Sequence, residues 1–281
     1  MSGSLSIFSS LADSLVDITS GLLIFLASRA IRKRDPYLYP RGRTRLEPIS
    51  LIVISAIMAF ASFQIIVESS KRIYHIASAD EEDFEVKMNP WSAGIMVATI
   101  IIKATLVFVY RNYNDASIRV LAMDHRNDCI SNSVALICAA FTPLPGGLTF
   151  FGTWGWDYFD PIGAIIVALY IIKTWFATGK EHVVMLAGKT ANPEFINRII
   201  KVCIDHDPRI EHIDTVYVYH YGMKFLVEVH IVLDENMPLK VAHDISESLQ
   251  INIESLPDVE RAFVHTDYEF EHLPQDEHKV V

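Results

Sequence analysis

The sequence predicts an α-helical membrane domain followed by a small soluble α+β domain. Apolar residues make up 51% of the 281 residues, and they concentrate before about residue 185. That part contains five apolar windows, each near the length of about 20 residues that an α-helix needs to cross a bilayer. After Lys180 the pattern changes to short amphipathic runs. We therefore predict a transmembrane domain at 1–185, a soluble domain at 186–272 and a polar tail at 273–281.

The charges of the loops orient the five predicted spans, which we place at 11–31, 48–73, 91–112, 118–141 and 160–179. Lys and Arg concentrate in cytoplasmic loops. The loop after the first span is basic, so we expect it in the cytoplasm, whereas the loop at 75–90 is acidic and the loop at 142–158 lacks Lys and Arg. This alternation places the N-terminus outside and the soluble domain in the cytoplasm.

The soluble domain is predicted from alternating helix-like and strand-like periodicity. Apolar residues recur at helical spacing over 193–206 and 238–256, and alternate with polar ones over 213–221, 223–233 and 259–268. The dipeptide Tyr221-Gly222 indicates a hairpin between the first two strands. The order helix–strand–strand–helix–strand predicts two helices on one face of a three-stranded sheet.

Composition and motifs exclude several functions. The formal charge of −10 argues against a nucleic-acid partner. The three cysteines form no Cys-x-x-Cys pair, which favours structural thiols over a disulfide framework. The N-terminus lacks the basic region of a cleaved signal peptide. No His-Glu-x-x-His site, Gly-x-Ser-x-Gly elbow or phosphate-binding glycine loop is present, so we expect neither an enzyme nor a prosthetic group.

Two pairs of aspartates in the apolar spans are the strongest functional signal. Asp13 and Asp17 lie in the first span, and Asp124 and Asp128 lie in the fourth. A spacing of four residues places both carboxylates of a pair on one helix face. Helix capping is the alternative for Asp13 and Asp124, but it does not explain Asp17 and Asp128, one turn deeper. Carboxylates inside a bilayer are costly and usually functional.

Four carboxylates in two helices predict a divalent-cation site. Their hard oxygen ligands favour Mg²⁺, Ca²⁺ or Mn²⁺ over Zn²⁺, which readily takes His and Cys. Metal binding would displace protons from the same groups, so cation and proton movements would be linked. We expect the neighbouring His125 and Asn127 to point off the carboxylate face, with His125 at the membrane interface. A carbonyl ligand from Asn127 is a minor alternative.

Two further charged residues in the apolar spans have structural interpretations. Lys103 falls in the middle of the third span, and we expect it to be buried against a neighbouring helix with a carboxylate partner. Asp160-Pro161 fits a helix cap followed by proline at the first helical position. We favour this interpretation over a role of Asp160 in metal access.

The chain resembles the cation diffusion facilitators, and within them the manganese-type, metal tolerance protein-like branch. The resemblance covers nearly the whole chain and rests on SGSLSIFSSLADSLVDITSG, KRDPYLYPRGRTRLEP, MDHRNDCISNS, the dipeptide at 160–161 and AHDISESLQINIESLPDVERAFVHTDYE. It implies a Y-shaped homodimer with a six-helix membrane domain and a cytoplasmic ferredoxin-like domain. It also implies export of a divalent metal from the cytoplasm in exchange for protons.

The resemblance assigns the transport site to Asp13, Asp17, Asp124 and Asp128. Zinc branches place a His at positions that match Asp13 or Asp124, so Asp at both implies Mn²⁺. Zinc members also bind metal through histidines in the first cytoplasmic loop. That loop has no histidine here, so we predict no metal there.

The family has six spans and the sequence shows five, because the helix that would precede SGSLS is absent here. A fragment, a short isoform and a mis-assigned start at Met1 all fit this difference. Two alternatives to a manganese exporter stay open. One is a truncated, non-transporting subunit that dimerises with a full-length homologue through the cytoplasmic domain. The other is a Zn²⁺ or Fe²⁺ transporter of the same family. The sequence leaves the membrane open: Golgi, vacuole, endosome or plasma membrane.

The soluble domain has metal candidates of its own by resemblance. Asp214, His230, His243, His265 and Asp267 fall where zinc homologues hold regulatory metals between two soluble domains. From the residues themselves, His265 and Asp267 share a strand face because they are two residues apart. The alternative is that these side chains are surface polar groups or contacts between two subunits.

Overall fold

The computed structural model describes residues 2–33, 35–78, 90–113, 115–141 and 158–271. Its side chains are described from residue 15 in the first helix, from residue 94 in the third and to residue 138 in the fourth. The chain divides into a helical unit, Met1–Arg41 with Ile49–His182, and an α+β unit, Gly42–Pro48 with Val183–Val281. The acidic residues at 80–85, the loop at 142–157 and the tail at 273–281 lie outside the described residues.

Five long helices form the helical unit, as the five predicted spans require. They are α1 (Ser2–Arg32), α2 (Leu46–Ala77), α3 (Pro90–Tyr110), α4 (Ala116–Phe141) and α5 (Phe159–Leu186). In the described residues, α2 and α5 are long and apolar enough to cross a membrane, and α3 contributes a shorter apolar helix, Gly94–Tyr110. Several helices extend beyond the predicted windows, since α1 begins at Ser2 and α5 ends at Leu186.

Small residues and a compact apolar cluster hold these helices together. Leu51, Ile54 and Trp175 are fully buried in a cluster contributed by α2, α4 and α5. A Cβ placed on Gly179 would lie 3.3 Å from the Cβ of Ser55, so α2 and α5 approach closely at this point. Such close contacts between small residues are typical of helices packed in membranes.

The α+β unit has the predicted order of elements, with boundaries within two residues of prediction. It contains α6 (Pro193–Ile204), β1 (His212–Tyr221), β2 (Lys224–Val232), α7 (Leu239–Glu254) and β3 (Val259–Asp267). The strand order is β1-β2-β3, with β1 antiparallel and β3 parallel to the central β2. The parallel pairing requires the crossover connection that α7 supplies. The predicted fold class is confirmed.

Local sequence explains the ends of these elements. Asn192 caps α6 by accepting a hydrogen bond from the backbone N–H of Phe195 at 3.0 Å, and proline follows at the first helical position. The hairpin turn contains Gly222 with a φ of 78°. A Cβ there would lie 3.3 Å from the backbone oxygen of Thr44. Glycine is therefore required both by conformation and by the neighbouring backbone.

The core of the α+β unit lies between the sheet and its two helices. Val227, Val229 and Ile231 alternate along β2 and pack with residues of α6 and α7, among them Leu249. Cys203 is completely buried in this core, and burial raises the pKa of its thiol to about 12. The three cysteines all lie in the described part of the chain and form no disulfide, in agreement with structural thiols.

Candidate metal centre

Three helices bring two of the predicted aspartates and a lysine together. The ammonium Nζ of Lys103 on α3 donates a hydrogen bond to Oδ2 of Asp17 on α1, at 2.9 Å. The same Nζ donates to Oδ2 of Asp128 on α4. The Lys103 side chain is only 18% exposed. The expectation that Lys103 is buried with a carboxylate partner is confirmed, and the partners are two of the predicted transport residues.

A second group of potential ligands surrounds Asp128 on α4. Asp124, His125 and Asp128 each offer an atom, and these atoms all lie within 4.8 Å of one another. In the described residues this is the group of three or more His, Cys, Asp or Glu that is close enough to hold a metal ion. The four-residue spacing of the aspartates places both carboxylates on one face, as predicted. The site is thus partly assembled by α4 alone.

Asp124 and Asn127 are the deeply buried polar residues of α4. Asp124 is 5% and Asn127 1% exposed. Within the described part of the chain, Oδ2 of Asp124 and both carboxamide atoms of Asn127 have no hydrogen-bond partner. Burying such groups without a partner costs free energy, so their positions suit a ligand that supplies positive charge. The minor ligand role expected for Asn127 stays a prediction.

The position of His125 differs from the expectation. We expected it to point away from the carboxylate face, and this was wrong, because its ligand atom lies within 4.8 Å of those of Asp124 and Asp128. Its expected place at the membrane interface stays a prediction. Its ring stacks on Tyr110 of α3, with centroids 5.9 Å apart and an interplanar angle of 24°. That stacking directs the imidazole into the group with Asp124 and Asp128. The available sequence signal was the three-residue spacing from His125 to Asp128, which also places side chains on neighbouring helix faces.

Asp13 is the fourth predicted transport residue. Its backbone belongs to α1, one turn before Asp17. Its side chain lies outside the described part of the structure. Its ligand role therefore stays a prediction.

An ion pair ties α2 to α5 at another level of the helical unit. Arg72 Nη1 lies 2.5 Å from Oδ2 of Asp160. Helix α5 begins at Phe159, so Asp160 falls in the first helical turn and is not the cap that we expected. The helix thus begins two residues before the predicted Pro161, and differences of one or two residues at helix ends are common. The ion pair gives Asp160 a structural role, and Pro161 remains acceptable in the first turn.

The five candidates of the α+β unit lie in different surroundings. His230 and His265 are neighbours on β2 and β3, with ring centroids 4.9 Å apart. Nε2 of His265 lies 3.9 Å from Oδ2 of Asp267. Asp214 sits at a β-bulge and accepts a hydrogen bond from the hydroxyl of Thr215 at 2.7 Å. The pairing of β2 with β3 thus brings two of the five candidates, His230 and His265, side by side.

The remaining candidate, His243, lies on α7 with an exposed side chain. Its Nδ1 is 3.6 Å from Asp244 and 3.9 Å from Glu247. In the described residues no three of the five candidates offer ligand atoms within 4.8 Å of one another. The metal roles implied by the resemblance stay predictions, and so does the absence of a metal in the loop after α1.

Comparison with known proteins gives matches over both units. Residues 1–187 match the family model of the cation efflux transmembrane domain, and residues 191–269 match that of the cation efflux protein cytoplasmic domain. Metal tolerance protein 5 of Oryza sativa subsp. japonica is 39% identical over 274 residues, which are 98% of this chain and 63% of the relative. Metal tolerance protein 11 of Arabidopsis thaliana is also 39% identical over 274 residues, 98% of this chain and 66% of the relative.

Metal tolerance protein 10 of Arabidopsis thaliana is 38% identical over 278 residues, which cover 99% of this chain and 61% of that relative. The chain therefore spans slightly less than two thirds of the length of these relatives.

Proposed function

The chain belongs to the cation efflux family, and we propose that it exports a divalent metal cation, Mn²⁺ foremost, from the cytoplasm in exchange for protons. The observation that carries this proposal is the convergence of Asp17, Asp124 and Asp128 within the helical unit, around one lysine and one histidine. Asp13 would complete the set from α1. The metal is the transported substrate, and no prosthetic group is needed.

The ligand chemistry supports Mn²⁺ as the substrate. Carboxylate oxygens suit Mg²⁺, Ca²⁺ and Mn²⁺, whereas imidazole suits Zn²⁺ and Fe²⁺. The aspartates outnumber the single histidine in the group on α4. Mn²⁺ accepts both ligand types, so the mixed set fits it better than the purely hard Mg²⁺. Zn²⁺ and Fe²⁺ are the alternatives that a competition measurement separates.

Transport follows if the site opens alternately to the two sides of the membrane. A ligand shifts such an equilibrium only by its different affinity for the two states. Metal binding requires deprotonated carboxylates, so protons leave as the metal enters and return as it departs. The buried Asp124 supports this exchange because an unpaired carboxylate is costly there unless a cation or a proton neutralises it.

The α+β unit is proposed to face the cytoplasm and to pair with a second copy of the chain. The match of residues 191–269 to the cytoplasmic-domain family model supports both statements, and the basic loop after α1 supports the sidedness. We retain domain limits of 1–185, 186–272 and 273–281. Co-purification of two differently tagged copies tests the homodimer, and recovery of each copy alone would contradict it.

The transport proposal is tested by Mn²⁺ uptake into proteoliposomes that contain the full chain under an imposed proton gradient. We expect proton-dependent uptake that Asp128→Asn reduces at least 100-fold, because the amide keeps the shape of the carboxylate but loses its charge. Asp115→Asn is the matched control. Asp115 accepts backbone hydrogen bonds at the start of α4, and asparagine caps a helix equally well.

Uptake by Asp128→Asn at the wild-type rate would refute the transport site. Absence of uptake by a folded wild-type preparation would instead favour the non-transporting subunit. Replacing Mn²⁺ with Zn²⁺ or Fe²⁺ in the same vesicles ranks the three ions.

A further inference from the structure

Lys103 contacts two of the proposed transport carboxylates directly. The site therefore contains a positively charged side chain of the protein itself. Its ammonium reaches from α3 to Oδ2 of Asp17 and Oδ2 of Asp128. An ammonium has three hydrogen-bond donors, and two of them point at these oxygens. The contact joins three helices through one charged atom.

The oxygens that bind Lys103 are those that a metal shared by α1 and α4 would need. A divalent cation binds through the lone pairs of carboxylate oxygens, and the ammonium hydrogens already occupy such positions on Oδ2 of both aspartates. Two cations at one pair of carboxylates also repel each other strongly where little water screens them. Lys103 and the metal therefore compete for Asp17 and Asp128 in the arrangement seen here.

We propose that Lys103 is a tethered competitor of the transported metal, a step that rests on the transport function proposed above. Lys103 holds Asp17 and Asp128 when the metal is absent and leaves them when the metal binds. Because the ammonium is attached to α3, it acts at a high effective concentration and returns as soon as the metal departs. It thus weakens metal binding and promotes release.

The arrangement also explains how a metal begins to displace the lysine. Among the described residues, the hydrogen bonds of Nζ go to Asp17 and Asp128 and not to Asp124. Asp124 and His125 lie within 4.8 Å of Asp128 and remain available to an incoming ion. The metal first engages this group on α4 and then takes Asp128 and Asp17 from the ammonium.

Competition by a tethered cation favours divalent over monovalent substrates. A monovalent ion has the same charge as the ammonium, so exchanging one for the other gains little electrostatic energy. A divalent ion brings twice the charge to the same carboxylates. Lys103 is therefore a residue that determines specificity, in addition to any role in holding α1, α3 and α4 together.

The test is equilibrium binding of Mn²⁺ to the purified full chain, followed by the electron paramagnetic resonance signal of free Mn²⁺. We expect Lys103→Met to lower the Kd at least tenfold, because it removes the competing charge but keeps an unbranched side chain. Lys103→Gln should also lower it. Lys173→Met is the control, since Lys173 is an exposed lysine on α5, and its Kd should match the wild type.

An unchanged or higher Kd in Lys103→Met, with binding intact in the wild type, would overturn the inference and leave the transport proposal standing. If neither the wild type nor the Lys103 variants bind Mn²⁺, both proposals fail.

A measurement on the wild type covers the case in which the variants do not fold. Reductive methylation of Lys103 should become at least fivefold faster when Mn²⁺ saturates the protein, because the metal releases the amine from its carboxylates. Lys201, an exposed lysine on α6 of the α+β unit, should react at a constant rate in the same samples. Equal methylation of Lys103 with and without Mn²⁺ would contradict the displacement.

Discussion

The helical unit and the α+β unit distribute apolar and polar residues in opposite ways. In the α+β unit many large apolar residues form a closed core, and Leu249, Val227 and Ile253 are completely buried. In the helical unit many large apolar side chains face outward, among them Phe60 and Phe108. A lipid environment offers no hydrophobic reward for burying them, so helices there associate through close packing and polar contacts.

The buried polar residues of the helical unit divide into two classes. Ser55 and Ser62 are buried, but each hydroxyl donates to a carbonyl of its own helix, four residues earlier. Such bonds satisfy the side chain locally and require nothing from the rest of the protein. Asp124 and Asn127 are equally buried, but within the described part of the chain Oδ2 of Asp124 and both carboxamide atoms of Asn127 have no hydrogen-bond partner. The contrast teaches that burial alone does not mark a candidate ligand, whereas burial without a local hydrogen-bond partner does.

The comparison predicts its largest stability effect in the α+β core. Leu249→Ala should cost about 2–5 kcal/mol because it leaves a cavity in a packed interior. Phe60→Ala, which removes more atoms from an outward-facing position, should cost less. Hydrogen exchange of the full chain in detergent measures both losses of stability. The amides of β1, β2 and β3 report on Leu249→Ala, and the amides of α2 report on Phe60→Ala. Equal losses of protection would remove the distinction between the two units.

A smaller effect is expected at the hairpin turn of the α+β unit. Gly222→Ala should lower the free energy of unfolding by about 1–2 kcal/mol because alanine adopts a positive φ only at a cost. The contact of the new Cβ with the backbone of Thr44 should lower it further. Gly188→Ala is the matched variant, since Gly188 has a φ of 79° but its Cβ would meet nothing closer than 3.9 Å. Exchange protection of β1 and β2 should fall further in Gly222→Ala. The reverse order would show that the Thr44 contact does not matter.

The sequence predicted the elements well because each is determined by local pattern. Apolar windows of membrane length gave the five helices, and a change to two-residue alternation gave the strands of the α+β unit. The four-residue spacing gave the shared face of Asp124 and Asp128. The need of Lys103 for a carboxylate followed from the cost of a charge in a membrane helix.

What the sequence could not predict depends on how separate elements meet. His125 turns toward Asp128 because Tyr110 of α3 stacks on its ring, and that contact exists only after α3 packs against α4. His230 lies beside His265 because β2 and β3 pair in one parallel register, which alternation alone does not define. The ion pair of Arg72 with Asp160 joins residues 88 positions apart.

The most direct test of the transport site is the position of bound Mn²⁺ in anomalous diffraction from crystals of the full chain. The account predicts an anomalous peak in the helical unit, in direct contact with carboxylate oxygens of Asp17, Asp124 and Asp128. A peak confined to the α+β unit, near His230 and His265, with none at these aspartates, would contradict it.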